Sequence, residues 1–168
     1  MKAVSQKDRR ALLLSLMAVL GVMGLIFSFS AQTGEDSGEL SAALVNFFLR
    51  VSGIEMSALT PEEQTALWDK ISFIIRKLAH FSEFALLGAA LRVHTGVIYR
   101  IRPYRFSSVI AAASGVLYAV SDELHQGFVD GRAPSLRDVG IDSCGAVFGV
   151  LFVLTILCFS KNKLHKIG

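Results

Sequence analysis

The sequence predicts an all-α integral membrane fold, a four-helix bundle with an extracytoplasmic amphipathic helix between its first and second spans. Three observations predict it. The 168 residues are 52% hydrophobic with a mean hydropathy of +0.52, too apolar for an ordinary soluble domain of this size. The apolar residues fall in four long runs, Ala11–Phe29, Ile71–Leu91, Ser107–Val129 and Val139–Phe159. Each is close to the about 20 residues that a helix needs to cross a hydrocarbon core. Finally, the basic residues are segregated. Lys2, Lys7, Arg9 and Arg10 precede the first run, Arg92, Arg100, Arg102 and Arg105 lie between the second and third, and Lys161, Lys163 and Lys166 follow the fourth. Asp8 is the single acid in those segments. The positive-inside rule makes them cytoplasmic, with both termini inside, so residues 1–168 read as one domain of the cytoplasmic membrane.

The net charge of +3 is therefore a topology signal. It suits anionic headgroups, and nucleic acid is not an expected partner. In the first run, Lys7, Arg9 and Arg10 before the apolar stretch and Ser28-Phe29-Ser30 after it imitate a cleavable signal peptide. Signal cores run to about 7–15 residues, and this run is longer, so a retained span is expected.

The acidic stretch from Ser30 to Lys70 follows. Leu40, Ala43, Leu44, Phe47, Phe48 and Val51 recur there on one helical face, after the cap candidates Asp36 and Ser37 and before Gly53. Such a helix either lies on the outer membrane surface or packs against the spans. Thr60-Pro61-Glu62-Glu63 then starts another helix, with Thr60 as N-cap, proline at the first position and Glu63 completing a capping box. No breaker intervenes before Leu91, so this helix is expected to stand above the membrane before entering it, with Trp68 at the interface. The third run ends near Gly127. Phe128–Arg137, with Gly131 and Pro134, makes a tight turn, after which Ser135 can cap the fourth helix. Cys144 and Cys158 are too far apart along that helix to form a disulfide and read as small packing residues.

Charges in hydrocarbon are costly, about 2.5–3.5 kcal/mol each on insertion scales, so those inside the runs mark a candidate site. Arg76, His80 and Glu83 share one helix face at i, i+4, i+7, with Lys77 about 100° away. Lys77 reads best as snorkelling to the headgroups. Asp122 and Gln126 share a face near the end of the third run, flanked by Glu123 and His125. Asp122 and Glu123 point to different faces, so only one of them, Asp122, is expected to face the site squarely. On the fourth run Asp138, Asp142, Gly145 and Gly149 form a further face, polar at its head and small below, which allows close helix approach. Each of these has a plainer role available. Asp138 suits the acidic position of a helix N-terminus, Glu83 can serve as an ion-pair partner, and His125 suits a surface position.

Four motifs resemble the VanZ family: Phe29-Ser30-Ala31-Gln32; His80-Phe81-Ser82-Glu83-Phe84 with Leu87-Gly88; Tyr118-Ala119-Val120-Ser121-Asp122-Glu123-Leu124-His125-Gln126; and Gly131-Arg132 through Asp138, Asp142 and Gly145. They cover nearly the whole chain in order. Phe84 stands where that family commonly has tyrosine, Ala31 where it has a second serine, and Asp130 where proline often precedes Gly-Arg. The resemblance implies a bacterial membrane-embedded protein with an association to teicoplanin susceptibility. It does not carry an activity.

Two function classes follow. The first is an intramembrane enzyme acting on an envelope lipid or lipid-linked wall precursor at the outer leaflet. In it His80, Glu83, Asp122 and Asp142 are the catalytic candidates. Arg76, Glu123, Gln126, Arg132 and Asp138 are the ligand-binding candidates. Arg76 and Arg132 suit a phosphate or carboxylate, and His80 suits acid–base chemistry, oriented by Glu83 or Asp122. Ser30 and Ser135 are candidate nucleophiles but read better as turn or cap residues. The second class is a non-enzymatic accessory protein whose cluster recognises a headgroup or ties the helices together. A metal held by His80, Glu83, Asp122 and Asp142 has suitable ligand types, but it lacks a spacing signature and has Arg76 nearby to repel it. No metal is therefore assigned, and no cofactor is identified.

Overall fold

A computed structural model describes residues 4–101 and 106–165, and every regular element among them is helical. Helix α1 spans Gln6–Ser30, α2 Gly34–Ser52, α3 Pro61–Ile101, α4 Ser107–Gln126 and α5 Leu136–His165, with one 3₁₀ turn at Met56–Ala58. The helices begin and end for local reasons. The Ser5 hydroxyl accepts the Asp8 N–H at 3.1 Å and caps α1. At the start of α3 the capping box is present in both directions. The Thr60 N–H donates to Glu63 Oε2 at 2.8 Å, and the Glu63 N–H donates to Thr60 Oγ1 at 3.3 Å. Gly53, at φ 68°, closes α2 in a left-handed conformation that a side chain would strain.

Helix α2 departs from expectation at its start. It begins at Gly34, so Asp36 and Ser37 lie within its first turn instead of before it. The link from α1 is only Ala31–Thr33, and the chain resumes a helix at the first glycine. The helix packs against a span, one of the two expected seats, but not by the expected face. Helix α2 packs on α3 through Ser41, Val45 and Leu49, all buried, while Leu44, Phe47, Phe48 and Val51 of the expected apolar face remain exposed.

Helix α3 is the axis of the molecule and contacts α1, α2, α4 and α5. Its 41 residues span about 61 Å at 1.5 Å per residue, roughly twice a hydrocarbon core. Phe84 and Leu87 of α3 lie in the apolar core with Val19 and Ile26 of α1, Ala119 of α4 and Ala146 of α5. Phe84 is fully buried and its ring meets Tyr118 at 6.1 Å, which makes it a packing residue. Tyr118 itself donates to the Met23 carbonyl at 2.7 Å. Close approach of α5 to α3 depends on absent side chains. A Cβ at Gly88 would overlap the backbone of Ala146, one at Gly145 that of Phe81, and one at Gly149 that of Ala85. At the far end the two helices nearest the basic segments are tied by Arg100–Asp8 at 3.1 Å and Ser15 Oγ–His94 Nδ1 at 2.9 Å.

Among the described residues three helices are long and apolar enough to cross a membrane: α1, α3 over Pro61–Arg100 and α5 over Leu136–Ser160. Helix α4 is not one of them. It stops at Gln126, short of the expected Val129, and Asp122, Glu123 and Gln126 in its last turns lower its hydropathy. Cys144 and Cys158 are exposed on α5, not packed inside as expected.

Candidate functional site

Polar residues gather where α1 and α4 end and α5 begins, against the middle of α3. Helix α4 is inside-out at this end: Asp122 and Glu123 are 3% and 4% exposed, while Leu117 and Leu124 face outward. The most firmly held member is Asp122. Its Oδ2 accepts from the Ser30 hydroxyl at 2.7 Å and from Gln126 Nε2 at 2.9 Å. Gln126 Nε2 also reaches Ser30 Oγ at 3.3 Å, and Gln126 Oε1 accepts from Arg132 Nη1 at 3.3 Å. Arg132 donates further to the carbonyls of Gln32 at 2.9 Å and Phe29 at 3.4 Å. The turn after α4 is thereby clamped to the end of α1, and Gly131, at φ 75°, gives the turn its left-handed corner. A guanidinium has five N–H donors, so two remain after these three bonds. Burial lowers the pKa of Arg132 and the nearby Asp122 opposes that shift. It remains a cation.

Beside this clamp lies a cavity of about 260 Å³, walled by Arg76, Lys77, His80, Gln126, Arg132 and Asp138, with Phe73, Gly131 and Ala133 at its edge. A second, of about 110 Å³, adjoins it beneath α2 and shares Arg76, His80 and Arg132, adding Glu83, Ser41 and Gln32. His80 thus stands between the two cavities and the buried carboxylates. One donor atom from each of His80, Asp122 and Asp142 lies within 4.8 Å of the others. Asp142 is 1% exposed.

The sequence-derived candidates sort accordingly. His80, Asp122 and Asp142 converge; Arg76, Gln126, Arg132 and Asp138 surround the first cavity. Glu83 lines only the second cavity and makes no hydrogen bond to His80. Of the two adjacent acids only Asp122 joins the cluster; Glu123 is also buried but lines neither cavity. Its Oε1 accepts the Ser135 N–H at the start of α5, because the chain after α4 folds back over it. Ser135 stands at the N-cap position and its carbonyl accepts from Asp138 and Val139, at 3.0 and 3.2 Å. Lys77 does not snorkel but pairs with Asp138 at 2.6 Å, and its ammonium lies 5.3 Å from the Phe73 ring centroid. His125 stacks on Phe27 at 4.5 Å, partly buried against α1. Ser30, read from sequence as a turn residue, is fully buried and holds Asp122. Its signal was the Phe29-Ser30-Ala31-Gln32 motif, not any helical period.

A family model described as VanZ/LLP1 matches residues 15–158, which takes in α2, α3 and α4, most of α1 and α5, and the whole polar cluster. No curated protein and no solved structure matches the chain.

Proposed function

The chain belongs to the VanZ/LLP1 family of apolar, helical membrane proteins, and on that premise we propose that it acts on or binds an anionic envelope lipid or lipid-linked wall precursor at the outer leaflet of the bacterial cytoplasmic membrane. The observation that carries this reading is the cavity in which Arg76, Lys77 and Arg132 surround His80. Cations around a concave polar site, set among helices with apolar outer faces, suit a molecule with an anionic head and a hydrocarbon tail. Arg132 is pre-oriented by three hydrogen bonds and keeps two N–H groups for a phosphate or carboxylate oxygen. Arg76, exposed between the two cavities, supplies a second cation.

In this reading α1, α3, α4 and α5 all cross the membrane, with both termini in the cytoplasm. The exposed residues of α4 support its inclusion: Val109, Leu117 and Leu124 are 62%, 69% and 62% exposed, while Ala111, Gly115, Ala119, Asp122, Glu123 and Gln126 are buried. His80 is the proton-transfer residue, with Asp122 and Asp142 setting its orientation and charge. Ser30 is a positioning residue, since its hydroxyl is fully buried and committed to Asp122. An altered supply of the bound precursor is the route by which such a protein changes teicoplanin susceptibility.

A second reading has its own support. The Arg132–Gln126–Asp122–Ser30 chain of hydrogen bonds joins α1, α4 and the following turn, which suits a non-enzymatic accessory protein tied together by polar bonds.

Lipid extracts from cells carrying wild type, His80→Gln or no protein separate the two. An enzyme changes one envelope lipid only with wild type. If His80→Gln and Asp122→Asn accumulate normally and keep full function in an envelope-stress or teicoplanin assay, acid–base chemistry is rejected. Topology is read separately, in a background lacking Cys144 and Cys158. An impermeant thiol reagent should label D130C and spare R100C; the reverse pattern inverts the orientation.

A further inference from the structure

We propose that His80, Asp122 and Asp142 bind a first-row divalent cation of the Mn²⁺ or Zn²⁺ class, because three helices bring their donor atoms within 4.8 Å of one another in a buried position. The inference deepens the reading above by naming a cofactor class for the same site. It rests on that reading for the ion's role; the binding itself rests on geometry.

A second observation, independent of the spacing, points to a ligand. His80 Nδ1, Asp122 Oδ1 and Asp142 Oδ1 are all buried without a hydrogen-bond partner. Asp122 and Asp142 are themselves only 3% and 1% exposed. Buried polar atoms are nearly always satisfied, so three orphans on three clustered side chains call for a partner. A cation would take lone pairs from two carboxylates and one imidazole at once. Two aspartates facing each other without one would repel in a low dielectric.

The arrangement around Asp122 fits a metal ligand. Ser30 and Gln126 both donate to Oδ2, which fixes the carboxylate and leaves Oδ1 free. Outer hydrogen bonds of this kind orient metal ligands. Ligand type favours Mn²⁺ or Zn²⁺ over Ca²⁺, which takes oxygen donors alone. Bonds of about 2.1 Å allow donors no more than about 4.2 Å apart, so binding draws the three side chains together by a few tenths of an ångström. The objection from sequence was repulsion by Arg76. That side chain is exposed, and Lys77, which shares the cavity wall, is paired with Asp138.

The test uses the full chain, purified in detergent, stripped with a chelator and titrated with Mn²⁺ by electron paramagnetic resonance and with Zn²⁺ by dye competition. One saturable equivalent is expected, with an imidazole nitrogen modulating the Mn²⁺ spin echo. Absence of saturable binding, or binding without a nitrogen signature, overturns the proposal from the wild type alone. His80→Gln and Asp142→Asn should abolish the site. Ser30→Ala should weaken it by about 10–100-fold. Glu83→Gln should keep it, and its loss there with retention in Asp142→Asn also overturns the assignment. Binding of anionic lipid vesicles to the stripped protein is measured in parallel. Lipid binding together with a failed metal titration rejects the ion while keeping the lipid reading, and metal binding together with no lipid binding does the reverse.

Discussion

The close approach of α3 and α5 gives a prediction whose sign changes with position. Glycine-to-alanine in a helix interior gains about 1 kcal/mol from propensity, wherever the added methyl meets nothing. Gly21 on α1 has no atom within 4 Å of where an alanine methyl would sit, so Gly21→Ala should stabilise by up to that amount. At Gly88 the methyl would overlap the Ala146 carbonyl oxygen and lie 2.7 Å from its carbonyl carbon. Restoring an ordinary 3.4 Å contact to that carbon needs about 0.7 Å of separation, and the oxygen needs more. Both partners are helix backbone, so no side-chain rotation relieves the clash. Overpacking of this kind costs about 1–3 kcal/mol, and a backbone partner puts it near the upper end. Subtracting the propensity gain leaves a net loss of about 2 kcal/mol. Gly149→Ala, against the backbone of Ala85 and Ala89, should behave alike. Reversible unfolding in detergent micelles, with all three variants under one condition, reads the contrast. Equal stabilities for Gly21→Ala and Gly88→Ala would refute the close packing of α5 on α3, and with it the placement of Asp142 beside His80.

Other expectations follow from single contacts. Phe84→Ala empties a fully buried aromatic position and should cost about 3–5 kcal/mol in the same unfolding assay. Thr60→Ala removes the hydroxyl that accepts the Glu63 N–H, leaving the Thr60 N–H to Glu63 half of the capping box, and should cost about 1 kcal/mol, with hydrogen exchange rising only in the first turns of α3. Lys77→Met breaks a pair whose members are 22% and 25% exposed, so its effect on stability should stay within about 1 kcal/mol. The same variant should weaken retention of anionic vesicles by more than its stability change explains, because Lys77 lines the larger cavity.

Periodicity and caps made much of this legible in the sequence. The four apolar runs became α1, α3, α4 and α5, and the face of Asp138, Asp142, Gly145 and Gly149 packs where its spacing indicates. The limits were also physical. Ser30 meets Asp122 across 92 positions of sequence, and no helical period encodes a contact of that range. Glu123 turned inward because the Gly127–Ser135 connection folds over the end of α4, a tertiary effect that a helical wheel omits. The apolar face read on α2 was real in composition, yet α3 took the neighbouring stripe of Ser41, Val45 and Leu49. The His80, Asp122 and Asp142 cluster left no spacing signature in the chain because its three members come from three different helices.

The asymmetry of Asp122 separates the two ways of reading a buried polar cluster. A network kept only to tie helices together should satisfy its own atoms, since an unsatisfied buried carboxylate oxygen forfeits about 1–3 kcal/mol or more. One side of Asp122 meets that standard, with Ser30 and Gln126 both on Oδ2. Its other oxygen does not, and neither do His80 Nδ1 and Asp142 Oδ1 nearby. Three such deficits sum to about 3–9 kcal/mol, comparable to the whole stability of many proteins. Replacing Asp142 by a residue of similar shape without charge should then stabilise the stripped protein, whereas a purely structural role requires that it destabilise. Asp142→Asn removes the carboxylate repulsion while keeping the volume, and a higher unfolding free energy in chelator, reversed on adding Mn²⁺ to both proteins, is the expected result. A less stable Asp142→Asn under both conditions would show that the carboxylate serves the fold alone.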